Sequence, residues 1–387
     1  MRVIDLGRRS HRRPYNAVAR WRCLFLAILV LSAAVVDVAR AQNSSTLGGT
    51  RVRKNVTALT AAERKSFVGA VLALKRARSP YDKALNYYDQ FVRWHKDRYV
   101  CHPADHAEAA TLAMVHAGPM FLPWHRELLR RFEDALRQVN GKNIAVPYWD
   151  WTDRESVNLD NPRSVFRDDF MGGSGDSSDR YAVTTGPFRR SVWTLNVHPE
   201  GAFWAPSKTQ HLTRNLGNVR ALPTQADVDV AFAADKYDVA PFNLASDRAR
   251  SFRNALEGEF ASNTMACGDD GWMRPMPAPA GMPGTSTRFT LHNLVHPWVG
   301  GVISLGDPRT AMRGTMILST SPNDPVFFLH HANVDRLWAM WQARHPGETY
   351  EPKSGQPANS ADSPMTPFGR VTPRDVESIA TLGYRYD

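Results

Sequence analysis

The chain has 387 residues, with 48 Lys and Arg against 38 Asp and Glu and a formal charge of +10 at pH 7. Eight Arg against only Asp5 and Asp37 fall in residues 1–41, so the remainder carries about +4, too little to argue for a nucleic-acid partner. The length would permit two domains, but no linker divides the chain and no internal repeat is visible.

Residues 1–41 read as a secretory leader. An Arg-rich stretch (Arg8, Arg9, Arg12, Arg13, Arg20, Arg22) precedes an apolar run from Cys23 to Val36, and Ala39-Arg40-Ala41 offers a small-x-small cleavage site. The apolar run of 14 residues is shorter than the roughly 18 of a membrane span. Removal is therefore expected, leaving a secreted, extracellular protein with no membrane attachment. Loss of Cys23 leaves Cys101 and Cys267, which in an exported protein most simply form one disulfide. Residues 42–387 are then expected to form a single domain.

Spacing predicts a mainly helical fold with long loops and few short strands. Tyr81, Leu85, Tyr88, Phe91, Val92 and His95 recur at helical spacing over 80–98. A second helix over 123–139 opens on Pro123 and lines Leu128, Leu129, Phe132 and Leu136 on one face. Ile144 to Tyr148 is the best short strand, and 172–178 and 271–287 read as loops of the same domain. Two further helices are predicted over 288–299 and 324–344, the last opened by Asn323-Asp324-Pro325.

Histidines mark these helices. His292 and His296 lie four apart, on one helical face. With 13 His in the chain, chance alone gives roughly 0.4 such pairs, and His102/His106 shares the spacing, so the pair by itself decides nothing. A zinc protease would need Glu after the first His, where Asn293 stands. Context adds more. His125 follows Phe121-Leu122-Pro123-Trp124, His116 lies upstream of it, and His331 ends an apolar run beginning at Asp324. Imidazoles facing inward from aromatic walls suit copper, because neutral His brings no charge to bury. No Cys/Met set of the electron-transfer copper type is present.

Two longer patterns carry a family likeness. His116-x4-Phe121-Leu122-x-Trp124-His125-Arg126-x2-Leu129-x3-Glu133 and Asp324-Pro325-x-Phe327-Phe328-x2-His331-x3-Asp335 resemble the two copper motifs of tyrosinases, catechol oxidases and molluscan-type haemocyanins. The resemblance implies a four-helix bundle around a dicopper centre. His95, His116 and His125 would bind one ion, and His292, His296 and His331 the other. The coppers would be Cu2+ at rest and Cu+ in the state that binds O2. The implied activity is conversion of monophenols and o-diphenols to o-quinones with O2. The alternatives are a catechol or o-aminophenol oxidase without monophenol hydroxylation, or an oxygen-carrying unit.

The same likeness assigns finer roles. Asn293 and Glu257 would hold a water that takes the proton of a monophenol, and Pro297 would add bulk near the substrate entrance. Adjacent residues on a helix point about 100° apart, so only one of His330 and His331 faces the metal, and the motif register selects His331. Asp335 is expected to orient a ligating imidazole or to pair with Arg336 or Arg126, and Asp150 is a second candidate orienter. Cys101 sits at the wrong spacing for the thioether some members make to their second histidine, and Met114 stands two before His116. Tyr384-Arg385-Tyr386 resembles the tyrosine motif that closes the catalytic core, and no C-terminal plug domain is expected after it. A separate copper-delivery protein is compatible with this reading.

Overall fold

The computed structural model describes residues 50–98, 115–200, 202–219, 221–258, 265–267, 273–275, 290–303, 312–355 and 358–387. The leader, Cys101, His102 and His106 lie outside these residues, and so do the expected disulfide and the thioether. Among the described residues no helix is long and apolar enough to cross a membrane.

After a short strand β1 (Arg51–Arg53), Thr60 opens helix α1 (Ala61–Arg76): its hydroxyl accepts from the Glu63 N–H while the Glu63 carboxylate accepts from the Thr60 N–H. Helix α2 (Tyr87–Asp97) begins at Tyr87 and not at residue 80, because the Asn86 side chain caps it by accepting from the Asp89 N–H. Helix α3 (Phe121–Asn140) stops at Gly141, whose φ of +63° suits glycine. Helices α4 (Gln225–Phe232), α5 (Phe252–Glu257), α6 (Leu291–Gly300) and α7 (Val326–Arg344) follow. Strands β2 (Met265–Cys267) and β3 (Met273–Pro275) pair antiparallel, as do β4 (Val302–Ile303) and β5 (Met312–Arg313). Strand β6 (Tyr384–Tyr386) returns to lie parallel to β1.

The four predicted helices thus form, at slightly different bounds, and α1 joins them although spacing did not select it. The expected strand over 144–148 does not form. Tyr148 makes only an isolated bridge with Asn55, since Pro147 has no N–H to donate and the Val146 N–H is taken by the Glu133 carboxylate.

Helix α3 is the central element, packed on α1 at one side and α7 at the other. Phe132 of α3 stacks on Phe328 of α7 with centroids 3.5 Å apart, and Phe91 of α2 meets Phe132 edge-on at 5.3 Å. Each such ring contributes about 1.5–3 kcal/mol by leaving water. The apolar seam sets the three helices in register, and the histidines ride on it.

Beside this seam lies a buried charge cluster that ties both chain-distant strands to the bundle. Asp335 of α7 accepts from Arg126 Nε (2.5 Å), Arg53 Nη1 (3.0 Å), Tyr384 Oη (2.7 Å) and Tyr386 Oη (2.5 Å). Glu133 of α3 accepts from Arg53 Nε at 3.0 Å and pairs with Arg51 at 3.1 Å. Arg126 also lies over the Trp338 ring, 3.5 Å from its centroid. The expectation that Asp335 orients an imidazole is corrected here: four donors from α3, β1 and β6 occupy its carboxylate, in keeping with the Arg126 alternative. Asp150 likewise binds Thr152 and Arg336, not a histidine.

Burial alone would raise the Asp335 pKa, but Arg126 and Arg53 hold it below the usual carboxylate range. The stability it lends is therefore present above the unfolded carboxyl pKa and is lost as pH falls through the lower folded value. Asp335→Asn should cost about 3–5 kcal/mol in urea denaturation at pH 7, because buried Arg126 loses its counter-charge and buried Arg53 keeps only Glu133. The gap to the parent should narrow below about pH 4, and a cost under about 1 kcal/mol at pH 7 would show that the cluster is not what holds β1 and β6 to the bundle.

Candidate metal centre

Four helices and one loop carry the histidines. His95 sits in the last turn of α2, and His125 one turn into α3. His292 and His296 lie on α6 and His331 on α7, while His116 lies in the segment leading into α3. The structure gathers them into two groups whose ligand atoms lie within 4.8 Å of one another: His95, His116 and His125, and His292, His296, His330 and His331. The six predicted residues are thus divided as expected, and His330 joins the second group.

Partners of the far ring nitrogen decide what each imidazole offers. His95 Nδ1 lies 2.7 Å from Ser319 O, His125 Nδ1 2.7 Å from Phe121 O, His296 Nδ1 2.6 Å from Met316 O and His292 Nδ1 3.3 Å from Glu257 O. A carbonyl can only accept, so these nitrogens carry the proton and each Nε2 is the unprotonated nitrogen of its ring. Yet His292 Nε2 lies 3.1 Å from His296 Nε2 and 3.3 Å from His331 Nε2. With its proton fixed on Nδ1, the His292–His296 contact sets two lone pairs face to face and cannot be a hydrogen bond. Such an arrangement is stabilised by a cation between the nitrogens.

The first group has the same character. The His116 ring is 5.0 Å from His95 and 4.9 Å from His125. His125 Nε2 is buried with no hydrogen-bond partner among the described residues, a costly state unless something else fills it. Across the two groups, His125 stacks on His331 with centroids 4.3 Å apart and planes 12° apart. The groups therefore pack against each other, flanked by Phe121, 4.7 Å from His292, and by Phe327, 4.1 Å from His331.

His330 is close by distance but differently placed. It stacks on His292 at 5.0 Å and 14°, with Trp151 on its flank at 5.5 Å. His331 instead brings Nε2 to the convergence. That placement agrees with the divergence of adjacent helical residues.

Burial holds all of these imidazoles neutral. The pKa of His95 is pushed down to about 3 and that of His296 to about 4, in both cases chiefly by burial. His116, His125, His292, His330 and His331 are also lowered, by burial first and then by neighbouring imidazoles. Only His296 among the six predicted ligands is more than slightly exposed. This places the solvent-facing side of the cluster at the second turn of α6. Pro297, the next residue, is buried in α6.

Glu257 and Asn293 meet through backbone. Asn293 Nδ2 donates to Gly258 O at 3.0 Å, next to the Glu257 carbonyl that receives His292. The Glu257 carboxylate accepts from the Ala117 N–H and from Arg253 Nη1 at 3.1 Å. Burial pushes its pKa up to about 7, while Arg253 and the Ala117 N–H pull it down. The carbonyls of Ser319, Phe121 and Met316 were not foreseen, since every residue carries one. Arg253 stood in plain view beside Phe252 but had no assigned role.

Comparison with known proteins gives a consistent set of likenesses. Residues 85–344 match the family model described as the common central domain of tyrosinase. A tyrosinase of Streptomyces glaucescens is 38% identical over 87% of this chain and 98% of its own length. The grixazone synthase of Streptomyces griseus is 35% identical over 87% and 99% respectively. A polyphenol oxidase from Thermothelomyces thermophila shares the fold, with a TM-score of 0.55 and 22% identity over 92% of this chain and 95% of that one.

The lowered histidine pKa values set a pH signature for the metal-free protein. Unfolded histidines take up protons near pH 6.5 that the folded cluster refuses, so stability falls as pH drops from about 6.5 toward 4. Urea denaturation of chelator-treated protein should lose several kcal/mol across that window. Unchanged stability between pH 6.5 and 5 would show that the imidazoles are not held neutral by burial.

Proposed function

Because the chain belongs to the tyrosinase family, we propose that His95, His116 and His125 hold one copper ion and His292, His296 and His331 a second. In this reading the enzyme hydroxylates monophenols and oxidises o-diphenols to o-quinones. The protein is a tyrosinase-type polyphenol oxidase, and its family implies a dicopper centre. Bound copper supplies the capacity to bind dioxygen and to take two electrons from a phenol. The observation that carries the ligand assignment is the convergence of the His292, His296 and His331 Nε2 atoms, with the opposite nitrogens of His292 and His296 tied to carbonyls.

The protein's own contribution is shape, dryness and proton handling. Phe121 and Phe327 wall the imidazoles and exclude water from them. A small aromatic substrate would approach past His296, the most exposed of the six. A free phenol ionises near pH 10, so a monophenol needs a base at the site. Asn293 spends its amide N–H on Gly258 O, which leaves its Oδ1 to accept from a water, and Glu257 stands on the facing segment. In this reading the pair holds that water and passes the proton to it.

A second reading, oxidation of o-diphenols or o-aminophenols without monophenol hydroxylation, is favoured by one observation. The Glu257 carboxylate is already engaged by Ala117 and Arg253. Residues 1–41 are read as an export leader, with 42–387 secreted as the catalytic domain.

Turnover of a monophenol, a catechol and an o-aminophenol by copper-loaded protein separates the readings. The proposal expects the monophenol and the catechol both to be oxidised. Oxidation of the catechol or aminophenol alone would select the second reading, and reversible oxygen uptake with no turnover would indicate a carrier. Asn293→Ala should lower monophenol turnover by about 10- to 100-fold and leave catechol turnover within about threefold. Equal losses would remove Asn293 from proton handling.

A further inference from the structure

Helix α5 ends between the two histidine groups, and its last residues bond to both. Toward the first group, the Glu257 carboxylate accepts from the N–H of Ala117, the residue after His116. Ala117 has φ +60°, a conformation that costs a non-glycine residue about 1–3 kcal/mol unless its surroundings impose it. Toward the second group, Glu257 O receives His292 Nδ1 at 3.3 Å and Gly258 O receives Asn293 Nδ2 at 3.0 Å. Leu291, just before His292, is also strained at φ +42°. Gly258 itself, at φ +87°, passes so close to Thr290 that an added Cβ would sit 2.1 Å from its carbonyl oxygen.

What fixes Glu257 in turn is a wholly buried arginine. Arg253 Nε and Nη2 donate to Asp238 Oδ2 at 2.9 and 2.7 Å. Its Nη1 donates to Glu257 Oε2 at 3.1 Å and Asn254 Oδ1 at 3.2 Å, and Nη2 also donates to Asn243 O at 3.0 Å. All five guanidinium protons are therefore spoken for. Arg253, Asp238 and Glu257 are each fully or almost fully buried, and the Ser251 hydroxyl that caps helix α5 donates to Asp238 Oδ1 at 2.7 Å.

We propose that Arg253, locked by Asp238, is a positioning residue that holds the His116 segment and the His292 helix at a fixed separation, and so sets how tightly the first histidine group retains its metal. A lysine at 253 keeps one charge but offers no fork to bridge Asp238 and Glu257. With the bridge gone, Glu257 can turn from the Ala117 N–H, and the strained segment can relax and carry His116 with it. This inference rests on the two groups being copper sites, and the metal content of the parent protein tests that premise separately.

The experiment compares full-length parent, Arg253→Lys and Asp238→Asn, each loaded with copper and then dialysed against a graded series of a copper chelator. A control is Arg64→Lys, at a buried arginine bonded to Pro162 O and Ser164 O and belonging to neither group. Copper per folded chain and Tm are read for each. The proposal expects both test variants to release their first copper at a chelator concentration about tenfold or more below the parent. The control should lower Tm without this shift. Parental copper retention in either folded test variant, with a lowered Tm alone, would overturn the proposal in favour of a plain core role. Failure of both to fold would do the same. A parent that binds no copper would instead sink the reading of the centre.

Discussion

Two imidazole nitrogens 3.1 Å apart, each with its ring proton tied to a carbonyl on the far side, repel each other unless something positive lies between them. The rest of the centre follows from that constraint. In His95, His125, His292 and His296 a backbone carbonyl keeps the proton on Nδ1, so no side chain has to be buried for the purpose. The rings are kept neutral by burial, so the lone pairs remain available at ordinary pH. The aromatic wall keeps water from offering the nitrogens a cheaper partner. A bundle interior is suited to this, because ligands projected from several helices converge on one point.

Charged residues of the two motifs serve the frame and not the imidazoles. Asp324 at the mouth of α7 is held by Arg214 at 2.7 and 2.6 Å and caps Val326. Glu133 and Asp335 anchor β1 and β6, and Arg126 reaches Asp335 and the carbonyls of Val376 and Glu377. Buried pairs of this kind add little net stability over apolar packing, but losing one partner is costly. They fix the register of α3 against α7, which is the register that stacks His125 on His331. Arg253 stands in the same relation to α5 and α6.

Much of this was legible in the sequence, for identifiable reasons. Apolar and aromatic residues at helical spacing gave α2 and α3, whose inner faces are buried, and α6 and α7 form close to the bounds read for them. The motif register chose His331 over His330, and the ring positions agree. Helix α1 escaped notice, although Thr60 and Glu63 spell its capping box. The missing strand at 144–148 shows the limit of local propensity: Pro147 and the Glu133 carboxylate remove the donors that a partner strand would need. Asp335 was misread because its partners come from Arg53, Tyr384 and Tyr386, far apart in sequence. The carbonyls that orient the imidazoles leave no sequence signal at all. Only the fold brings Ser319 to His95 or Met316 to His296.

The central claim is that two histidine groups each hold one copper. Metal analysis of the purified chain, of His331→Ala and of His330→Ala tests it most directly. The account predicts two coppers per parent chain, one after His331→Ala and two after His330→Ala. Zinc in place of copper, a single ion in the parent, or loss of an ion on removing His330 with none lost on removing His331 would contradict it.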